Sequence, residues 1–243
     1  MTRRFCTQVH RKIIVIGIIV PAHNEEEKIG ACLQSLVIAA SQPALAGEEV
    51  ELIVVLDACT DRTGLLARSL GAKTIAIQAR NVGLARQEGA RSAIAAGARW
   101  LAFTDADSVV APDWLNAQLD LRADAVCGTV AVGDWGGYGE RMRRHFDLSY
   151  TDADGHSHIH GANFGVSASA YTSAGGFLAL ETGEDVALVK SLISSGARIA
   201  WSRQPRVVTS VRPNYKAPLG FGATLERIEK LGLWLGGETG AVA

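Results

Sequence analysis

Asp105 and Asp107 stand one residue apart in Phe103-Thr104-Asp105-Ala106-Asp107-Ser108, directly after the apolar run Trp100-Leu101-Ala102-Phe103. Carboxylate oxygens of this kind are hard ligands suited to Mg2+ or Mn2+, ions that bridge a protein carboxylate and substrate phosphates. A solvated turn is the other reading, because aspartate is favoured in turns. Three more polar segments follow apolar runs in the same way: Pro21-Ala22-His23-Asn24-Glu25, Asp57-Ala58-Cys59-Thr60-Asp61 and Arg80-Asn81-Val82-Gly83. Gly183-Glu184-Asp185 adds two acids at the start of a stretch with helical periodicity. There Asp185 reads as an N-cap, as a general base for a hydroxyl proton, or as both. Neither G-x-G-x-x-G nor G-x-x-x-x-G-K-[ST] occurs, which disfavours a dinucleotide enzyme and a P-loop NTPase. A diphosphate bound at these acids would need a metal ion.

The elements that position these groups read as a repeated strand-helix unit. The runs at 13–20, 51–56 and 73–77 are continuous and rich in Ile, Val and Leu, as in strands covered on both faces of a parallel sheet. Glu25 to Ala39, Asp61 to Leu70 and Val82 to Ala96 carry helical periodicity, with Asn24 placed as the N-cap of the first helix and Asn81 as that of the third. Trp100–Phe103 is a fourth strand, and Pro112 opens the next helix. Four such units with right-handed crossovers build a Rossmann-like half with ligands at the carboxyl ends of its strands. The pattern is less regular beyond residue 125: a strand at 125–132, a glycine-rich loop at 133–138, a helix at 140–150, a strand at 162–167, a helix at 185–195, strands near 198–201 and 206–210, and an apolar stripe at helical spacing from Phe221 to Leu235. That stripe reads as core, with a second subunit or a membrane surface as alternatives.

With 243 residues, 48% hydrophobic and 20% charged, the chain is long enough for one domain with a substantial core. A net charge of -1 provides no field to recruit nucleic acid or an anionic membrane. The four scattered cysteines form no zinc spacing and read as reduced cytosolic thiols. Arg3, Arg4, Arg11 and Lys12 precede the first apolar run as in a signal peptide, but Pro21-Ala22-His23-Asn24-Glu25 stands where a cleavage site should be. No run reaches the ~20 residues that span a bilayer. The expectation is a cytoplasmic protein with peripheral membrane contact left open.

Taken in order, these segments resemble the inverting glycosyltransferases of family 2, whose fold is called GT-A. PAHNEEE is similar to that family's P-x-Y-N-E opening, LDACTDRT to D-G-S-x-D-x-T, NVGLARQ to N-x-G-x-x-x-A-R-N, TDADS to D-x-D, GANFGVSASAYTSAGGF to the acceptor-side segment ending in Gly-Gly-Phe, and GEDVAL to the E-D motif. His23 replaces the usual Tyr, while Ala58 and Arg62 replace glycines, which leaves base preference open.

The resemblance implies a single α/β GT-A domain over 13–243 after an N-terminal extension at 1–12, with a Rossmann-like nucleotide-binding half at 13–110 built on a mostly parallel sheet. The acceptor-binding half and C-terminal helix would occupy 111–243. It implies transfer of a hexose from a nucleotide-diphosphate donor, UDP-linked by expectation, to a hydroxyl of a glycan, lipid or small molecule, with Mg2+ or Mn2+ as cofactor. Pro21, Ala22, His23, Glu25, Asp57, Asn81, Arg86, Asp105 and Arg212 would contact the nucleotide. Asp107, with Asp105, would hold the metal. Asp185 would be the base and Glu184 would orient the acceptor. Rival readings are a sugar-nucleotide nucleotidyltransferase, disfavoured by PAHNE in place of a glycine-rich loop, and a noncatalytic nucleotide-sugar-binding domain, disfavoured by the presence of both Asp107 and Asp185.

Some residues carry second readings. Glu26 and Glu27 fit a solvated first helical turn and Asp61 a cap, while Arg86 could instead pair with a helix neighbour. His156, His158 and His160 alternate as on a strand and read as a solvated loop, with a third metal ligand or an acceptor contact as the alternative. Arg212 and Lys216 lie in a proline-bearing loop that could close over a diphosphate.

Overall fold

The computed structural model describes residues 16–211 apart from Gly136, together with Ile228, Lys230 and Leu231. The proposed extension at 1–12, Arg212, Lys216 and most of the Phe221–Leu235 segment lie outside the described residues.

In chain order the elements are β1 (Ile16–Ala22), α1 (Ile29–Ala40), β2 (Val50–Asp57), α2 (Thr63–Ser69), β3 (Lys73–Ile77), α3 (Val82–Ala95), β4 (Trp100–Phe103), β5 (Val109–Val110), α4 (Trp114–Asp120), β6 (Ala125–Asp134), α5 (Glu140–Ser149), β7 (Phe164–Ser167), α6 (Ala168–Ser173), α7 (Glu184–Ser194) and β8 (Ile199–Ser210). They form a sheet of order β3-β2-β1-β4-β7-β6-β8-β5. The first four strands are parallel, β6 and β8 are parallel to each other, and β7 runs antiparallel between β4 and β6. The chain leaves β1 towards β2 and returns from β3 to β4 on its other side, so a topological switch lies between β1 and β4, where open α/β sheets bind ligands.

Alternate residues of β1 feed two cores. Ile16, Ile18 and Val20 pack with Ile29, Leu33 and Leu36 of α1, and Ile19 packs with Ala85, Ala90 and Ala93 of α3. Leu188 and Leu192 of α7 complete the second core. Each fully buried Ile or Leu of this kind stabilises the fold by about 1.5–3 kcal/mol.

Small residues set how close α3 lies to the sheet. A Cβ at Gly17 would come within 2.6 Å of Ala93 Cβ, and one at Gly89 would overlap Ile19 Cγ2. This close seat aims the N-terminal turns of α3 at the carboxyl ends of β1 and β2.

Local boundaries depart from the sequence expectation: the helix expected to open at Pro112 begins at Trp114, the second helix begins at Thr63, and the short edge strand β5 carries no sequence signal. The first helix begins at Ile29, not Glu25, and Asn24 is no cap: its backbone is left-handed (φ 49) and its Oδ1 accepts from Thr60 N–H. The amides of Glu25 and Glu26 donate instead to Thr63 Oγ1 and Asp61 Oδ2 across the sheet end, so the three glutamates occupy a loop and turn. The strands expected near 198–201 and 206–210 are one strand, β8, which pairs with β6 along its length through a register shift between Gly128 and Val130 and carries the edge strand β5 on its other side. The short helix α6 escapes sequence reading because SASAYT is polar and brief; Ser167 caps it, its Oγ accepting from Ala170 N–H.

Gly89→Ala tests the close seat of α3. Helix propensity favours Ala by up to about 1 kcal/mol, whereas overpacking against Ile19 and Val55 costs about 1–3 kcal/mol. The expected outcome is a net loss of stability in urea or thermal unfolding; a gain would show that α3 can shift outward freely.

Candidate active site

The loops after β1, β2 and β3 hold one another. Asp57, 4% exposed at the end of β2, accepts hydrogen bonds from three successive amides, Ala79 N at 2.8 Å, Arg80 N at 2.7 Å and Asn81 N at 2.7 Å. These bonds secure Arg80 in a left-handed conformation (φ 47), which costs about 1–2 kcal/mol for a residue with a Cβ. Asn81 then caps α3, its Oδ1 accepting from Leu84 N–H, while its Nδ2 donates to Leu180 O. His23 donates from Nδ1 to Asp57 O at 2.6 Å. Ala58 is left-handed as well (φ 51), which accounts for an expected glycine at this position. Asp61 works as a cap in effect, accepting from Thr63 N and Thr63 Oγ1, and Glu26 pairs with Arg62. Pro21 and Ala22 are the buried last residues of β1, and Glu25 is buried beside them.

Arg86 joins the two halves of the chain. It is 3% exposed and donates from Nη2 to Asp105 Oδ1 at 2.7 Å and from Nη1 to Glu184 Oε1. Its guanidinium lies 5.7 Å from the centre of the Phe177 ring, and its Nε has no partner among the described residues. Arg86 therefore pairs across the site and not along its own helix. Burial alone would lower its pKa, but Asp105, Glu184 and Asp185 together overcome that and raise it. Burial pushes the Glu184 carboxyl up, with Asp185 and Asp105 adding to the rise against the pull of Arg86. Three acids thus crowd one cation.

Asp185 lies in the first turn of α7 after Gly183, which takes a left-handed conformation (φ 72). Its Oδ2 accepts from Gly161 N at 2.9 Å and its Oδ1 from Val186 N at 2.8 Å, a setting that the positive end of the helix dipole favours for a carboxylate. Gly161 went unnoticed in sequence, although a glycine in a polar segment was the available signal: a Cβ there would overlap the Arg86 guanidinium. Asp107 accepts from Ser210 Oγ at 3.2 Å, and Ser108 Oγ donates to Thr209 Oγ1, so the Asp-x-Asp loop is tied to the end of β8. Among the described residues no three His, Cys, Asp or Glu side chains gather as a ready-made metal site.

The three histidines form a loop, as expected, but not a solvated one. Tyr150 stacks on Phe146 (4.6 Å) and on His158 (4.1 Å, planes 8° apart), while buried His156 meets Trp201 edge-on. Tyr150 Oη accepts from Val130 N and bonds His160 Nε2 at 2.9 Å. Burial, helped by His158 and His156, pushes the pKa of His160 down to about 4, and burial pushes that of Tyr150 up to about 12.

Two outcomes follow from these charges. Arg86→Met leaves Glu184 and Asp105 without their cation, a loss of about 3–5 kcal/mol for a broken buried pair. In that variant buried Glu184 holds its proton more tightly than in the unfolded chain, so stability should fall as pH rises above the ordinary carboxylate range; a variant as stable as wild type at pH 8 in denaturant titrations would contradict the pairing. For His160 the sign is opposite. Its folded pKa of about 4 lies below the unfolded value of 6.5, so the unfolded state binds the extra proton and stability should fall as pH drops from 6.5 towards 4. His160→Asn should flatten that part of the stability curve measured by thermal unfolding.

The family model described as glycosyl transferase family 2 matches residues 17–173, well over half of the chain. No curated protein sequence matches. Solved structures with a similar fold include Staphylococcus aureus TarS 1-349 in complex with UDP-GlcNAc, at TM-score 0.61 and 18% identity over 89% of this chain and 66% of that one. Glucosyl-3-phosphoglycerate synthase from Mycobacterium tuberculosis, in complex with phosphoglyceric acid, aligns at TM-score 0.57 and 21% identity over 82% of this chain and 73% of the other. The chain spans only 43% of the longer TarS structure. With a family match across all four strand-end loops and two neighbours that share the fold, the chain belongs to glycosyl transferase family 2 and is a glycosyltransferase domain of GT-A fold.

Proposed function

We propose that this protein transfers a sugar from a nucleotide-diphosphate donor, UDP-linked, to an acceptor hydroxyl with inversion at the anomeric carbon. The observation that carries this reading is the meeting of Asp105, from the nucleotide-binding half, with Glu184 and Asp185, from the acceptor-binding half, around buried Arg86 at the switch point of the sheet. A neighbour of the same fold binds UDP-GlcNAc.

In this reading the loops bearing Pro21, Ala22, His23, Glu25, Asp57 and Asn81 receive the nucleoside, and Asp57 acts largely through the amides it holds. Asp107 and the half-buried Asp105 suit Mg2+ or Mn2+: both are carboxylates at a strand end, and an ion that keeps substrate phosphates among its ligands needs only one or two from the protein. When bound, such an ion neutralises charge on the departing diphosphate. Arg86 keeps Asp105 and Glu184 in fixed positions. Asp185, pinned by Gly161 and Val186 amides, retains lone pairs to take the acceptor proton as the oxygen attacks from the face opposite the diphosphate.

Cys32 and Cys127 are buried thiols, and Cys59 Sγ donates to Ala22 O. Among the described residues no helix is long and apolar enough to cross a membrane.

Asp185→Asn keeps the shape but not the basicity of the carboxylate. Donor affinity, read as the thermal shift given by UDP-glucose or UDP-GlcNAc with Mn2+, should persist while transfer falls about 10²-fold or more. The first product of the wild type should show inverted anomeric configuration by proton NMR; retention, or full activity of Asp185→Asn, would sink this mechanism.

A further inference from the structure

Two imidazoles in the loop between α5 and β7 accept hydrogen bonds from the loop's own backbone. Thr151 N–H donates to His158 Nε2 at 3.1 Å, and His158 N–H donates to His156 Nδ1 at 3.0 Å. A backbone amide can only donate, so each of these nitrogens presents a lone pair and both rings are neutral. His158 therefore carries its proton on Nδ1 and His156 carries its proton on Nε2. His156 is 5% exposed, and its Nε2 has no hydrogen-bond partner among the described residues. A second proton on that ring would bury a charge and remove the acceptor of His158 N–H. The loop is docked by Asp154, whose Oδ1 accepts from Ser202 Oγ and Arg203 N, and by Asp152, which accepts from Thr129 Oγ1 and pairs with Arg203. Tyr150 stacks on His158 and bonds His160, and Trp201 meets His156 edge-on. The ionisable groups around the two rings are thus Tyr150, Asp152, Asp154, His160 and Arg203. The chain then runs through His160 to Gly161, whose N–H donates to Asp185 Oδ2.

We propose that residues 151–160 form an acid-sensitive latch: a second proton on His158 or His156 removes an acceptor that closes the loop, and opening of the loop loosens the Gly161 amide that holds Asp185. The latch itself stands apart from the transferase reading; only its effect on transfer rests on that reading. Burial and the neighbouring His156 push the pKa of His158 below its ordinary value of 6.5. The open loop therefore binds the proton more tightly than the closed one, so the latch is closed above pH 6.5 and loses stability as pH falls below it. The Ser202 hydroxyl and the Arg203 amide keep the Asp154 carboxyl below the usual carboxylate range, and His160 takes up its proton only at about 4. Neither group answers at pH 5.

Two NMR measurements on the full chain test it. Long-range proton–nitrogen spectra of the 15N-labelled protein at pH 7.5, with the rings assigned by loss of signals in His156→Asn and His158→Gln, should place the proton on Nε2 of His156 and on Nδ1 of His158. A proton on either acceptor nitrogen in the wild type overturns the proposal. Between pH 7.5 and pH 5 the protection of the Thr151 amide against hydrogen exchange, corrected for the intrinsic pH dependence, should fall about tenfold, the scale of one hydrogen bond. The Gly161 amide signal should move with the same midpoint. His158→Gln and His156→Asn each put a permanent acceptor oxygen near the place of the lone pair, so the double variant should keep the protection seen at pH 7.5 and lose its pH dependence. Undiminished Thr151 protection at pH 5 in the wild type, or a double variant that still opens in acid, overturns the latch. A Gly161 signal that stays fixed while Thr151 opens overturns its reach to Asp185.

Discussion

One buried cation holds the two halves of this protein together. Arg86 is almost fully removed from water and faces Asp105 on one side and Glu184 on the other. An unpaired buried charge costs several kcal/mol, so a guanidinium in this place demands carboxylate partners with good geometry. The rigid fork of Arg places two donor nitrogens at a fixed separation, which the single ammonium nitrogen of a Lys does not, and thereby fixes the spacing of a strand-end acid against a helix-start acid. Asp185 then follows from Glu184 by chain geometry, since both lie in the first turn of α7. The surplus of acid over cation leaves the cluster short of positive charge, which in the proposed reaction a divalent cation bound with the donor would supply.

Close approach of backbones is what lets this cation sit where it does. Gly161 offers no Cβ to the guanidinium, Gly83 offers none to Leu178 O beside the start of α3, and Gly89 with Ala85 and Ala93 brings α3 down onto β1 and β2. A Cβ at Gly161 would meet the guanidinium directly, and one at Gly83 or Gly89 would push against the seat of the helix that carries Arg86. The packing of small residues far from the acids is thus part of the electrostatics of the site.

Strands buried on both faces were legible because continuous runs of Ile, Val and Leu have few other homes: β4 matches its expected range, and β1 and β2 differ by a few residues at their ends. β3 has its expected range but not the expected coverage on both faces, because it is the edge strand and its residues are half-buried or exposed. Asn81 was legible as a cap for the same local reason. What escaped depended on partners distant in sequence. Asn24 and three glutamates look like a helix start, yet Thr60, Thr63 and Asp61 of the next loop compete for the same groups and win. Arg86 had an open reading because its acids lie 19 and 98 residues away. The histidine loop looked solvated because the rings that bury it, Tyr150 and Trp201, belong to other elements.

The two sides of the site are organised by different forces, and this bears on what each can recognise. On the nucleotide side, Asp57, Asn24, Asp61 and Glu26 spend their polar atoms on the amides of neighbouring loops. Such mutual bonding preorganises the loops before any ligand arrives, which lowers the entropy lost on binding. In the second half of the chain, the order comes from ring stacking around Tyr150, whose Oη bonds His160 Nε2, and from the Gly161 and Val186 amides that hold the Asp185 carboxylate. Stacked rings tolerate sliding more readily than a hydrogen-bonded loop tolerates loss of a donor, because dispersion is weakly directional. In the proposed reading, a fixed donor cradle beside a more adaptable acceptor wall would let one transfer chemistry serve different acceptors through changes confined to the second half of the chain, while Arg86 holds Asp105 and Glu184 in place.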